Sequence, residues 1–218
     1  MANPDIFEAL AVKGADIRLL VDQLIKNRRQ IPELVEALQT EKSAKKYAYE
    51  KILRFVSERR PDLIYPHFDV FAGLLGSENN FLKWGAIMTV ANLTAADTEK
   101  KFEAVFRKYF DPISGPIMIT ASNIIGSSVA VVRAKPALAD AITKEILKAE
   151  KAKYWLKGSL SPECRNVAIG QAIDSLDQLY CQIENKARVT AFVKRQLKNT
   201  RKPVARRAGQ FLQKHGKA

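Results

Sequence analysis

The feature that most constrains this chain is a short text that returns along it. A polar or basic residue is followed by an alanine or another small residue, then by a pair of apolar residues four and five positions on. It reads KKYAYEKIL around Ala48, LKWGAIMTVANL around Ala86 and IMITASNII around Ala121. It returns as CRNVAIGQAI around Ala168 and VARRAGQFL around Ala208, giving alanine spacings of 38, 35, 47 and 40 residues. Between these segments run apolar stripes at i, i+3, i+4 and i+7. Ile17, Leu20, Val21, Leu24 and Ile25 form one; Phe102, Val105, Phe106, Tyr109 and Phe110 form another. Such stripes belong to amphipathic helices. A period of about 40 residues with two helices per unit marks a repeat array, because one pair cannot bury its own apolar face and must stack on the next. A small residue in the middle of every second helix lets neighbouring helices approach closely.

Proline marks where the helices begin. Pro32, Pro66, Pro136, Pro162 and Pro203 each precede a periodic run, where a missing N–H costs nothing. Ser161-Pro162-Glu163 is the clearest start, a serine cap followed by an acid at the positive end of the dipole. Ser43, Asp97 and Thr98 are further cap candidates. The pattern predicts helices over about 5–12, 16–28, 32–39, 43–59, 66–75, 80–93, 97–109, 115–131, 136–154, 162–183, 186–198 and 201–215. Their connections are short, so consecutive helices are antiparallel neighbours. Two-residue alternation is confined to Ile117–Thr120 and Val129–Val132. The long interval between Ala121 and Ala168 predicts a longer linker or an irregular turn around Tyr154–Ser159.

At these repeated segments the sequence resembles the HEAT and armadillo-type repeat families. The resemblance implies an all-α superhelix, or solenoid, of about five HEAT-like helix pairs. Residues 1–30 would be N-terminal capping helices. Residues 31–218 would be the repeat array, closed by a basic helix pair at 185–218. It also implies a non-catalytic scaffold that meets a macromolecular partner on its inner-helix face, with Lys83, Asn92, Asn123 and Arg165 as inner-face candidates. Armadillo-type binders clamp an extended peptide with an inner-helix asparagine, the position of Asn92 and Asn123; Met88 and Ile119 stand where that family has tryptophan. The alternative reading is a nucleic-acid-binding repair protein resembling the HEAT-like alkylation-repair DNA glycosylases. Trp84, Trp155, Asp174, Asp177 and Arg165 are residue types that family uses, but they do not align onto its motif, and none is carried over as catalytic. Trp84 is expected in the core and Trp155 at the surface.

Charge points to the partner. The net charge is +13, and from Asn185 onward there are eleven basic residues and no acidic one. Lys194, Arg195, Lys198, Arg201, Lys202, Arg206 and Arg207 flank one short turn and are candidates for binding an acidic protein surface or nucleic acid. Lys186, Arg188, Lys214 and Lys217 complete the set. The start of the chain does not read as a signal peptide, and two cysteines without a CxxC suit a reducing cytoplasm. The uncharged stretch Pro112–Val132 is too rich in Ser, Gly and Pro for a membrane span. His67 and His215 have no Cys, Asp or Glu at metal spacing and are expected to be solvated. No nucleotide, zinc-protease or hydrolase motif occurs. No metal, cofactor or small-molecule substrate is therefore expected.

Overall fold

The computed structural model describes residues 5–12 and 14–216. Lys217 lies outside them. The chain forms two compact units, residues 1–105 and 106–218.

The first unit contains α1 (Ile6–Ala11), α2 (Ile17–Lys26), α3 (Ile31–Thr40), α4 (Lys45–Arg59), α5 (Pro61–Ile64), α6 (Phe68–Leu74) and α7 (Asn80–Leu93). Helix α4 packs against α2, α3 and α7, and α6 packs against α7. Ile52, Leu53 and Val56 of α4 and Ala86 and Val90 of α7 are completely buried. At the end of the unit Asp97 starts α8 (Lys101–Phe110). Its carboxylate accepts the amides of Lys101 (2.8 Å) and Phe102 (3.0 Å), and the Tyr65 hydroxyl donates to it at 2.7 Å. This cap satisfies two of the amides that a helix start leaves without partners.

The second unit contains α9 (Met118–Ala134), α10 (Ala139–Ile146), α11 (Pro162–Leu179), α12 (Lys186–Gln196) and α13 (Lys202–His215). Helix α11 lies between α9 and α13, and α12 packs on α13. The segments 117–120 and 129–132 fall in or at the start of α9, so their alternation is a by-product of a helix apolar on most sides. The helix expected over 136–154 stops at Ile146 and continues only as a 3-10 turn at Leu147–Glu150. Ser161 caps α11 as expected, accepting the amide of Cys164 at 3.2 Å, with Pro162 at the first position.

The repeat is visible in both units. Helices that carry the recurring alanine stack directly on one another: α4 on α7, and α9 on α11 on α13. Ala86, Ala121, Ala168 and Ala208 are fully buried, which is the close approach that the small residue permits. Ala48 is the exception and stays half-exposed. Side-chain hydrogen bonds join residues one repeat apart. Asn92 donates to Ser57 across 35 residues and Asn166 to Thr200 across 34.

The irregular interval is a β-hairpin. Strands β1 (Trp155–Leu156) and β2 (Ser159–Leu160) are antiparallel, with Trp155 opposite Leu160. Lys157 (φ 51°) and Gly158 (φ 80°) make the turn, the paired positive φ values of a type I′ hairpin that glycine favours. The hairpin is anchored at its base. Tyr154 is buried and donates its hydroxyl to the Ile113 carbonyl at 2.7 Å. The Trp155 amide donates to the Pro116 carbonyl at 3.0 Å.

Candidate partner-binding surface

In the second unit, α9, α11 and the start of α13 enclose a groove of about 310 Å3. Met118, Ile119, Ser122 and Asn123 line it from α9, Val167 and Gln171 from α11, and Arg201, Val204 and Arg207 from the α13 side. Ile119 is 47% exposed although it belongs to a core helix. The Asn123 and Gln171 side chains make no hydrogen bond to any described residue, so both amides remain able to donate and accept.

The two arginines are held by carboxylates of the neighbouring helix. Arg201 pairs with Glu163, and the Arg207 guanidinium lies 3.0 Å from Asp174. Gly170 makes room for this guanidinium: a β-carbon there would meet the Arg207 Nη1 at 2.7 Å. Burial raises the Asp174 pKa from its ordinary value; Arg207 opposes this and the like charge of Asp177 adds to it. Both side chains of the Arg207–Asp174 pair are more than two-fifths exposed, so water screens it and the hold is weak.

The seven expected cations fall into two groups. Arg195 forms a two-pronged pair with Glu150 at 2.8 and 2.7 Å, and Arg201 and Arg207 are paired as above. Lys194, Lys198, Lys202 and Arg206 are exposed and make no ion pair with any described residue. Of the inner-face candidates, Asn123 lines the groove. Asn92 is occupied, donating to Ser57 at 3.0 Å. Lys83 and Arg165 are half-buried without ion pairs.

Three sequence expectations need correction. Trp84 is half-buried rather than in the core, because α7 is apolar on most sides and its packed face runs through Leu82, Ala86, Val90 and Leu93. Trp84 instead packs edge-on to Phe81 (5.6 Å), which meets Tyr47 of α4 (5.8 Å), an aromatic cluster at the surface of the first unit. His215 is not solvated. Its Nε2 lies 2.5 Å from Asp177 and its ring packs on Tyr180 and Phe211. Burial acts against the Asp177 charge, but Lys214 and His215 more than offset it and hold its carboxyl low. His67 is half-buried; burial lowers its pKa. Trp155 is exposed, as expected.

Ile119 and Gln171 were missed as site residues. The available signal was an apolar residue at position 119, one turn before Asn123, on the side of α9 that faces away from the fully buried Ala121, Ile124 and Ile125.

The structure matches a designed armadillo repeat protein with a TM-score of 0.50 over 95% of this chain and 89% of that one, at 14% identity. The chain has an armadillo-like helical repeat fold. No family model matches the sequence, and no curated protein matches it. Within the armadillo-like fold, no helix among the described residues is long and apolar enough to cross a membrane.

Proposed function

We propose that the protein is a non-catalytic repeat scaffold that holds an extended, acidic segment of a partner protein in the groove of α9, α11 and α13. The observation that carries this reading is the pair of unbonded amides, Asn123 and Gln171, beside the half-exposed Ile119. An extended segment brings free backbone N–H and C=O groups, which such amides can satisfy, while apolar side chains cover Ile119. Acidic side chains on the segment would compete with Glu163 and Asp174 for Arg201 and Arg207. Lys202 and Arg206 would add long-range attraction. The two thiols, Cys164 and Cys181, are unpaired, which suits a cytoplasmic setting.

The test is selection of random peptides displayed on phage against the full chain. Enriched peptides should be acidic, and their affinity should fall at least tenfold for the Asn123→Ala/Gln171→Ala variant. Peptides of neutral or basic character, or acidic ones indifferent to that variant, would refute the reading.

A further inference from the structure

The second unit contains another hollow, of about 560 Å3, apart from the groove. Its lining includes six cations: Lys144 from α10, Lys148, Lys151 and Lys153 from the segment after it, and Arg188 and Arg195 from α12. One carboxylate, Glu150, shares the lining, and it is spent: it holds Arg195 through both oxygens and accepts the Gln196 amide at 2.9 Å. Glu145 holds Lys148. Lys144, Lys151, Lys153 and Arg188 are exposed and make no ion pair with any described residue. A hollow of this volume is comparable in width to the Debye length of about 8 Å at physiological ionic strength, so these four charges act together on whatever enters.

The backbone then adds an aromatic side chain. Residues 151–155 alternate strictly: Lys151, Lys153 and Trp155 are exposed, and Ala152 and Tyr154 are buried. Buried Tyr154, tied to Ile113, fixes this alternation. Lys151 closes the 3-10 turn (ψ 1°); beyond it Lys153, of the hollow, and exposed Trp155 stand on either side of buried Tyr154, two residues and at most about 7 Å of chain apart. It is 54% exposed, and its indole stacks on no described ring. Its amide is pinned to Pro116, so this aromatic is presented from a fixed backbone.

A cluster of cations with an exposed, unstacked aromatic two residues from one of them is what single-stranded nucleic acid requires: cations track the phosphates and a base stacks on the ring. We propose that the second unit binds single-stranded nucleic acid here, its phosphates against Lys144, Lys151, Lys153 and Arg188 and one base on Trp155. A duplex keeps its base faces inside its own stack and offers Trp155 nothing. A bilayer surface cannot follow cations into a recess, and Lys157 at the turn of the hairpin opposes insertion of its tip. An acidic peptide would meet the lysines but leaves the aromatic without a role.

The test uses the full chain and a fluorescein-labelled oligo-dT of about 12 nucleotides, read by anisotropy. Four neutralised phosphates give a log–log salt slope of about 3, at roughly 0.7 each for single strands. The Lys151→Ala/Lys153→Ala variant should flatten that slope by about 1.4. Trp155→Ala should weaken binding about tenfold, within the range for losing one stacked base, and Trp155→Phe should restore most of it. In a Trp84→Phe background, where Trp155 is the remaining tryptophan, saturation should quench its emission. The Asn123→Ala/Gln171→Ala variant should bind the oligonucleotide normally. The proposal fails if the oligonucleotide does not bind at low salt, or if binding ignores Trp155→Ala and the lysine variant. It also fails if a duplex, poly-glutamate or phosphatidylserine vesicles bind as tightly with the same quenching.

Discussion

Glu50 provides a sharp energetic test of how the repeat helices pack. Its side chain is only 10% exposed, on α4 where α7 crosses it. A β-carbon at Gly85 would overlap the Glu50 carboxyl group, so the absence of a side chain there is what admits the carboxyl. Burial pushes the Glu50 pKa from 4.5 to about 7, although Arg54 Nε at 3.2 Å favours the charge. Between these two values the folded chain keeps a proton that the unfolded chain has lost. Raising the pH through this window therefore favours unfolding, and stability falls until about pH 7 and then levels. A change from 4.5 to about 7 corresponds to about 3 kcal/mol. Glu50→Gln removes the titration while keeping the shape. The variant should match the wild type to within about 1 kcal/mol near pH 4.5 and exceed it by about 3 kcal/mol at pH 8. Urea unfolding, followed by tryptophan emission in a Trp155→Phe background, reports the first unit through Trp84. Parallel stability curves for the two proteins across pH 4.5–8 would refute the reasoning and show that Arg54 keeps Glu50 charged.

Other substitutions probe the same packing. Gly85→Ala should destabilise by about 1–3 kcal/mol, as overpacking does, and much less in a Glu50→Ala background, measured as a double-mutant cycle. Gly170→Ala should cost less than Gly85→Ala, because the nearest atom is the end of the exposed Arg207 side chain and buried Val204 Cγ2, at 3.3 Å, has only a few tenths of an ångström to give; a loss comparable to that of Gly85→Ala in urea unfolding would contradict this. Tyr154→Phe should cost about 1–3 kcal/mol in thermal unfolding, since the Ile113 carbonyl loses a buried donor. Removal of residues 185–218 should uncover the face of α11 that receives Val204, Ala208 and Phe211 of α13, and light scattering should detect self-association. A monomeric, equally stable product would make the last pair an appendage.

The helices were legible because an apolar stripe of period 3.6 leaves its record in each segment separately, and the buried alanines because their spacing recurs. The hairpin at Trp155–Leu160 was not, since two-residue strands show no alternation and Lys157 is an unusual occupant of a positive-φ turn position. Only the 47-residue interval announced it. The candidate site was legible in part. Asn123 could be found by its place on a repeat helix, but the difference between Asn123 and Asn92 depends on Ser57, 35 residues away. Likewise, the pairing of Arg195 with Glu150 across 45 residues and of Arg201 with Glu163 across 38 depends on how one helix pair is set against the next. A count of basic residues in one segment does not contain that register.

Site-specific photo-cross-linking tests the central claim most directly. A photoreactive phenylalanine analogue at position 119 places the probe in the groove of α9, α11 and α13, and the same analogue at exposed Arg107 serves as the control. An acidic peptide selected against the protein should cross-link from position 119, not from position 107, and be displaced by unlabelled peptide. Cross-linking from position 107 alone, or equal labelling from both, would contradict the assignment of this groove as the partner-binding surface.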